Sequence, residues 1–297
     1  MISRRAFLLP GLSLCLPPGG WIVAGADSAW VTQRDEKRFN VEGKPEVVLA
    51  TFDGAIEVQS WDRAEVMVVI EKHAASQAEA AAIEVQSSQQ GNRVSVEVKP
   101  SASRMLGWGW LGRGSARLVV SVPQSADVRA TSGDGAIRLS HVNGTIALRS
   151  GDGRIQATDS SGTVSASTGD GGIELDGVDG AVEATTGDGR VRVSGKLTAV
   201  RARSGDGSIA IQARAGSSTD ADWDITSGDG AVTLQIPEGF NADLEAHTGD
   251  GGIHLDGVSV TNSGNITRNS VRGRLGSGGR SVRVRTGDGS ITLRRQE

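Results

Sequence analysis

One motif that returns every 18 residues constrains the fold more than any other feature of the chain. It reads Ser/Thr-Gly-Asp-Gly, and an apolar–polar–apolar triplet such as Ile137-Arg138-Leu139 follows one residue later. A fixed period of this length is the signature of a repeat architecture, in which each copy forms one structural unit. The five regular copies carry Asp134, Asp152, Asp170, Asp188 and Asp206, and three looser copies carry Asp229, Asp250 and Asp288.

Each 18-residue unit contains a second, weaker turn signal. Asn143-Gly144, Ser161-Gly162 and Asp179-Gly180 each precede another apolar–polar–apolar triplet. Alternation of this kind, with β-branched residues at the apolar positions, predicts short and half-buried strands. The Asp-Gly, Asn-Gly and Ser-Gly pairs at both turns are expected to supply the positive φ that tight turns need.

Two all-β architectures fit this pattern: a long antiparallel meander, or a β-solenoid with coils of about 18 residues and two short strands per coil. The solenoid is favoured because coiling encloses the inward apolar stripe, which a flat meander would leave open. We predict a β-rich N-terminal cap with one short helix at the alanine-rich segment 73–82. The inward stripe is Ile137, Ile146, Ile155, Val164, Ile173, Val182, Val191, Val200 and Ile209.

The first 26 residues resemble an export signal, with a basic start and an apolar run. Arg4 and Arg5 fit a twin-arginine motif, ordinary secretion is the alternative, and cleavage is expected after Ala26. Lipid attachment at Cys15 is a less favoured alternative. The predicted product is exported, periplasmic or at the cell surface, without a transmembrane segment. The expected domains are 1–26 (signal), 27–45 (loose), 46–125 (β cap and first coils) and 126–297 (solenoid).

Composition excludes several classes of function. The net charge is only −4 and no basic stripe is interleaved with aromatic residues, so no nucleic-acid partner is expected. Cys15, the single cysteine, lies in the leader, which leaves no disulfide, thiol nucleophile or cysteine-based metal site in the mature chain. No cofactor is predicted.

Two features are candidate binding sites. Trp108 and Trp110, in a glycine-rich segment, are expected to fold onto the cap; the alternative is that they stack on sugar rings or meet a membrane surface. The aspartates Asp134, Asp152, Asp170, Asp188 and Asp206 would line up about 4.8 Å apart in stacked coils. Turn formation is the favoured interpretation of this row, and bound calcium is the alternative.

Other polar groups are less informative. The serine or threonine before each Gly-Asp-Gly would bind ice or a glycan, or hydrogen-bond within its own turn. The C-terminal arginines indicate a solvated cap, with an anionic lipid or polysaccharide contact as the alternative. No catalytic residue is predicted, because an even row of equivalent carboxylates lacks the unlike environments that acid–base catalysis needs. A cleft with one unlike cluster of Asp, Arg or His would favour an enzyme.

The leader, the segment Phe52-Asp53-Gly54-Ala55-Ile56-Glu57-Val58, the strand Leu118–Pro123 and the repeated Ser/Thr-Gly-Asp-Gly together resemble a known family. It is the bacterial putative-adhesin β-strand-repeat family of unknown function, and the resemblance covers residues 40–297. It implies an envelope or surface β-solenoid and carries no catalytic residues. The expected function is an adhesin-like binding or scaffold module whose partner is a glycan, the cell wall or an envelope protein. Alternatives are a polysaccharide-active enzyme and a calcium-stabilised repeat protein.

Overall fold

The structure is a computed structural model that describes residues 31–100, 114–261 and 266–296. Several sequence-based predictions fall outside these residues: Arg4, Arg5, Cys15, cleavage after Ala26, Trp108 and Trp110. Among the described residues, no helix is both long enough and apolar enough to cross a membrane.

Successive repeats lie on one another as parallel strands offset by 18 residues. Ile137 pairs with Ile155 and Ile155 with Ile173, while Ile146 pairs with Val164 in a second series. We call the strands that follow each Gly-Asp-Gly turn the short-strand layer, and those that precede the next turn the long-strand layer. The prediction of a solenoid-like, all-β chain with one small helix is confirmed.

The regular repeats build the middle of the fold. Two of their strands, each 14 residues long, pass through the corner and belong to both layers. The strands are β8 (Asp127–Ser132), β9 (Ile137–Ser140), β10 (Asn143–Ser150), β11 (Ile155–Thr158), β12 (Ser161–Thr168), β13 (Ile173–Thr186), β14 (Val191–Ser204) and β15 (Ile209–Ala213).

The core lies between the two layers and runs the length of the array. All nine residues of the predicted inward stripe are buried, none more than 4% exposed. Strict alternation places polar side chains on the outer face of each layer, because successive side chains of a strand point to opposite sides. The fold therefore presents two long polar faces, one per layer.

At the N-terminal end the coils are not stacked in chain order. The coil β2–β3 lies between the coil β6–β7 on one side and β8–β9 on the other. The antiparallel strands β4 and β1 then cover β7, and antiparallel β5 covers β6. The elements are β1 (Val31–Asn40), β2 (Glu46–Thr51), β3 (Ile56–Trp61), β4 (Glu65–Ala74), α1 (Gln77–Ala82), β5 (Glu84–Gln90), β6 (Arg93–Lys99) and β7 (Ser115–Pro123).

The prediction that residues 27–45 are loose is wrong for β1. All ten residues from Val31 to Asn40 pair with β4, and Phe39 packs against the core. The polar composition of this segment suggested a loose chain. An edge strand, however, forms its backbone hydrogen bonds with the neighbouring strand whatever its side chains are. The predicted helix begins later than expected, after Ser76, whose hydroxyl accepts a hydrogen bond from Glu79 N at 3.2 Å.

The C-terminal end shows the same rearrangement. The last coil, β22–β23, lies between β16–β17 and β18–β19. The described part of the segment 258–279 contains β20 and β21, and β21 pairs antiparallel with both β18 and β20. The strands are β16 (Trp223–Ser227), β17 (Val232–Ile236), β18 (Ala242–Thr248), β19 (Ile253–Asp256), β20 (Val260–Thr261), β21 (Ser270–Leu275), β22 (Ser281–Thr286) and β23 (Ile291–Arg295).

Candidate functional site

The hydroxyl row before the Gly-Asp-Gly turns is internal. Ser150 Oγ accepts a hydrogen bond from Gly153 N at 3.0 Å and donates one to Gly135 O of the preceding coil at 2.9 Å. Thr186 makes the same pair of bonds, with Gly189 N and Gly171 O. These side chains are buried, so the interpretation that they bond within the turns is the one that the structure supports. Buried equivalents are Ser132, Thr168, Ser204, Ser227, Thr248 and Thr286.

The glycines of the motif are required by packing rather than by backbone conformation. A Cβ added to Gly153 would lie 2.6 Å from Ser150 Oγ and closer still to the carbonyl oxygen of Gly135. Positive φ angles occur instead at the weaker turn, at Gly162 (104°) and Gly180 (140°). The prediction of positive φ is therefore right for the second turn and wrong for the Gly-Asp-Gly turn.

The aspartate row lies on the outside of the turns. All eight carboxylates, from Asp134 to Asp288, are exposed, and none makes a hydrogen bond or an ion pair with a described residue. Within the ranges that the structure describes, no group of three or more His, Cys, Asp or Glu side chains is placed to hold a metal. Turn formation is the favoured interpretation of this row, but the carboxylates make no hydrogen bond to the amides of their own turns among the described residues. Bound calcium, the alternative interpretation of this row, stays untested.

A groove follows the outer face of the short-strand layer. One hollow of about 460 Å³ extends from Glu57 across Arg138 and Gln156, and a second of about 350 Å³ continues past Arg192 to Gln235. The two hollows share Glu174 and Asp176 as lining residues, so they follow one another along the array axis, and we call the two together the groove or channel. Hydroxyl and amide side chains line most of its length: Gln59, Ser140, Thr158, Ser194, Gln212 and Thr233.

A chain of ionic contacts fixes the charged side chains on this face. Glu57 accepts a hydrogen bond from Arg117 Nη2 at 2.6 Å, which raises the pKa of Arg117, and lies 3.3 Å from Arg138 Nη1. Gln156 accepts from Arg138 Nε at 3.2 Å and donates to Glu174 Oε2 at 3.1 Å. Because acids and bases alternate with an amide, the face carries little net charge and each side chain is held by its neighbours.

A second cluster lies on the opposite side of the channel. Arg214 Nη2 donates to Asp176 Oδ1 at 2.8 Å and to Ser194 Oγ at 3.0 Å, and Ser194 donates to the same carboxylate oxygen. Ser194 is buried and β15 ends one residue before Arg214. The cluster therefore joins two residues that line the channel, Asp176 and Ser194, to an arginine that lies outside its lining.

The groove is a feature that sequence reasoning missed. Alternation placed Glu174 and Asp176 on one outward face of β13, but concavity depends on how the layer curves, which periodicity does not reveal.

The two carboxylates of the groove, Glu174 and Asp176, can be compared with those of a glycosidase, which needs one of its two carboxyl groups to hold a proton. Here Glu174 lies 3.9 Å from Arg192 and Asp176 contacts Arg214, and their side chains are 43% and 55% exposed. Each carboxylate therefore lies next to an arginine and is open to solvent, as groups that contact a polar ligand are.

The C-terminal arginines divide into two groups. Four of them lie within ion-pair distance of a carboxylate, as Arg272 Nη2 does at 2.7 Å from Glu245 Oε1; the other three are Arg274, Arg283 and Arg295. These pairs support the predicted solvated cap. Four other arginines make no ion pair with a described residue: Arg268, Arg280, Arg285 and Arg294.

Comparison with known proteins gives a family and weakly similar structures. Putative adhesins from Bacteroides fragilis and Parabacteroides merdae are each 11% identical with a TM-score of 0.43, covering 89% and 88% of this chain and 97% and 96% of theirs. A putative lipid binding protein from Parabacteroides distasonis is 12% identical with a TM-score of 0.41, covering 88% of this chain and 96% of its own. No curated protein matches. The model of the family described as Toastrack DUF4097 matches residues 46–294, and the chain belongs to this family.

Proposed function

We propose that this protein is an exported, non-enzymatic binding module of the cell envelope that holds a linear glycan in the groove of the short-strand layer. The observation that carries the proposal is the groove itself, whose two hollows of about 460 and 350 Å³ join at Glu174 and Asp176. Its length and direction suit an extended polymer, because it runs across successive coils rather than into the core.

The lining of the groove suits sugar hydroxyls. Rows of hydroxyl, amide and carboxylate groups repeat from coil to coil at about 4.8 Å. Side chains such as Gln212 and Gln235 make no side-chain hydrogen bond to a described residue, so their donors and acceptors are available to a ligand. The charged members are held in place by ion pairs, which reduces the side-chain entropy lost when a ligand binds.

The direct test is binding of the chain from residue 27 to a panel of soluble linear polysaccharides, measured by calorimetry. Thr158→Arg places a long side chain in the groove at an exposed position, and we expect at least a tenfold loss of affinity. Thr163→Arg is the matched control, because Thr163 is equally exposed but lies on the other outer face, on β12. Equal binding by both variants would contradict the proposal.

A polysaccharide-active enzyme is the second candidate, and one observation favours it. Glu174 and Asp176 lie two residues apart on one face of β13 inside the groove, which is the pairing of carboxylates that glycoside hydrolysis uses. Release of reducing ends from a bound polysaccharide, abolished in both Glu174→Gln and Asp176→Asn, would establish the enzyme. Undiminished binding without release would support the binding module.

A further inference from the structure

One outward residue separates each Gly-Asp-Gly turn from the strand that follows. We call the row of these residues the rim, because it runs two residues before the outward side chains Arg138, Gln156 and Glu174 that line the groove. Their backbones belong to the parallel ladder: Ile137 N donates to Arg154 O at 2.9 Å, Ile155 N to Gly172 O at 3.0 Å and Ile173 N to Arg190 O at 2.9 Å. Because the backbones are in register, neighbouring side chains of the rim are about 4.8 Å apart. From coil to coil the rim reads Ala136, Arg154, Gly172, Arg190 and Ser208.

Gly172 leaves a gap in this rim between two arginines. A hollow of about 160 Å³ lies there, lined by Arg154, Arg190, Arg192 and Glu174 as well as by Gly172. Arg154 and Arg190 are two coils apart, so their backbones are about 9.6 Å from each other. We call this hollow the arginine notch. It lies directly beside the groove, because Glu174 and Arg192 line both.

The glycine of the notch is not required by the fold. A Cβ added to Gly172 would find Arg190 O at 3.5 Å as its only neighbour within 4 Å, which is ordinary contact. The motif glycines Gly171 and Gly153, by contrast, would meet backbone atoms of the preceding coil at far shorter distances. Gly172 therefore keeps open a space that a side chain could have filled.

The arginines of the notch keep donors available. Arg154 makes no ion pair or side-chain hydrogen bond with a described residue, and Arg190 uses only Nε, which donates to Ser208 Oγ at 3.1 Å. Arg192 lies 3.9 Å from Glu174, so the one carboxylate in the notch is already matched by one cation. The turn aspartates Asp152, Asp170 and Asp188 form no ion pair with these arginines. A guanidinium presents paired N–H groups that fit the two oxygens of an anionic group.

We propose that the arginine notch binds an anionic substituent, a carboxylate or a sulfate ester, on a polysaccharide that lies in the groove. This inference rests on the proposed function and narrows its ligand to an acidic linear glycan. Arg154 and Arg190 bind the anion from two sides, Gly172 gives it room, and the neutral groups of the groove bind the rest of the chain.

The test uses pairs of polymers that differ only in the anionic group, at about 0.15 M salt, where the Debye length of about 8 Å screens distant charges. Polygalacturonate is compared with its methyl ester, and dextran sulfate with dextran. We expect wild type to bind an acidic member at least tenfold more tightly than its neutral partner. The pair that shows this preference identifies the anion as carboxylate or sulfate.

Three variants assign that preference to the notch. Arg154→Gln with Arg190→Gln, and separately Gly172→Leu, should remove the preference, so that each variant binds the acidic polymer no more tightly than its neutral partner. Arg129→Gln with Arg149→Gln is the matched control, because it removes two exposed and unpaired arginines from the other outer face. We expect the control to keep the preference.

The outcomes separate the two proposals. Suppose that wild type binds acidic and neutral polymers equally and that Thr158→Arg abolishes binding of both polymers. Binding in the groove would then be supported, and the proposal for the arginine notch would be wrong. If the control variant lowers acidic binding as much as the notch variants do, the preference comes from overall charge and the notch is also wrong. If no polymer binds wild type, the proposed function and the notch fail together.

Discussion

At the scale of single residues, the repeated motif is explained by the stacking of one turn on another. The first glycine of each turn donates its N–H to the first glycine of the preceding turn, as Gly187 N does to Gly169 O at 2.5 Å. The hydroxyl before it joins the same two turns. Each position of Ser/Thr-Gly-Asp-Gly except the aspartate is thus fixed by contact with a neighbouring coil.

Replacing Gly153 by alanine should therefore destabilise the fold. The added methyl group would collide with backbone of the preceding coil, and overpacking of this kind costs about 1–3 kcal/mol. Chemical denaturation measures the change in the free energy of unfolding. Gly172→Ala is the control one turn along, expected to fall within about 0.5 kcal/mol of wild type. Equal effects at both glycines would contradict the packing explanation.

Removing one of the buried hydroxyls should also lower the free energy of unfolding. Thr186→Val keeps the shape of the side chain but leaves Gly189 N and Gly171 O without their hydrogen-bond partner. Buried groups left unsatisfied cost about 1–3 kcal/mol, which denaturant unfolding can resolve. Thr185→Val, at the exposed neighbouring position, should change stability little. A neutral Thr186→Val would mean that water replaces the lost hydroxyl.

Glu245 should make stability depend on pH below neutrality. The hydrogen bond from Arg272 at 2.7 Å holds the pKa of Glu245 below its usual value. A carboxyl group whose folded pKa is depressed stabilises the fold above its unfolded pKa, of about 4.3, and loses that contribution as pH falls through the folded pKa. Wild type should thus exceed Glu245→Gln in stability at pH 7, and the difference should shrink below about pH 4. A stability difference between wild type and Glu245→Gln that is the same at pH 7 and at pH 3 would contradict this role of the Arg272 hydrogen bond.

At the scale of elements, the main finding is that neither end of the array is stacked in chain order. β22–β23 comes last in the chain, yet its strands are paired on both sides, with β16–β17 and with β18–β19. The coil that ends the short-strand layer is instead formed by β19, where Ile253 and Leu255 are only partly buried. The last coil in sequence is therefore an interior coil in space.

Truncating buried side chains distinguishes the observed order of the coils from stacking in chain order. Leu293 on β23 is fully buried, so Leu293→Ala should cost about 2–5 kcal/mol, as expected for a large-to-small substitution in a closed core. Leu255→Ala on β19 should cost clearly less. Leu175→Ala, in the middle of the array, serves as the reference and should match Leu293→Ala. A solenoid stacked in chain order would give the opposite ranking of Leu255 and Leu293.

The periodicity of the sequence predicted the features that recur in every coil, and it did not predict the order of the coils or the groove. The inward stripe and the strand pairing follow from alternation, because residues such as Ile155 and Ile173 occupy equivalent places in consecutive coils. From Asp206 onward the spacing of the motif slips, and the alternation of β22 matches the coils on either side equally well. The order of the coils is then decided by how they pack in three dimensions, which the spacing of the motif does not show. The groove was missed for a related reason, because the curvature of a layer does not appear in the repeating pattern of the sequence.

At the scale of the whole molecule, the aspartates form a line of like charge along one edge of the array. All eight carboxylates are exposed and unpaired among the described residues, and successive ones are about 4.8 Å apart where the coils are regular. Repulsion along such a line opposes folding and is screened by salt. The line therefore gives the whole fold a salt response that no single turn would show.

Thermal unfolding of the chain from residue 27 in EGTA, in sodium chloride and in millimolar calcium separates screening from ion binding. Calcium takes six to eight oxygen ligands, whereas the line offers adjacent pairs of carboxylates with no third acidic or histidine side chain in reach among the described residues. We expect calcium to raise the unfolding midpoint no more than sodium chloride of equal ionic strength. Asp152→Asn with Asp170→Asn should raise the midpoint at low salt and weaken the salt response. A rise specific to calcium, lost in that variant, would show that the line binds the ion, since a ligand of the native state raises the midpoint by mass action.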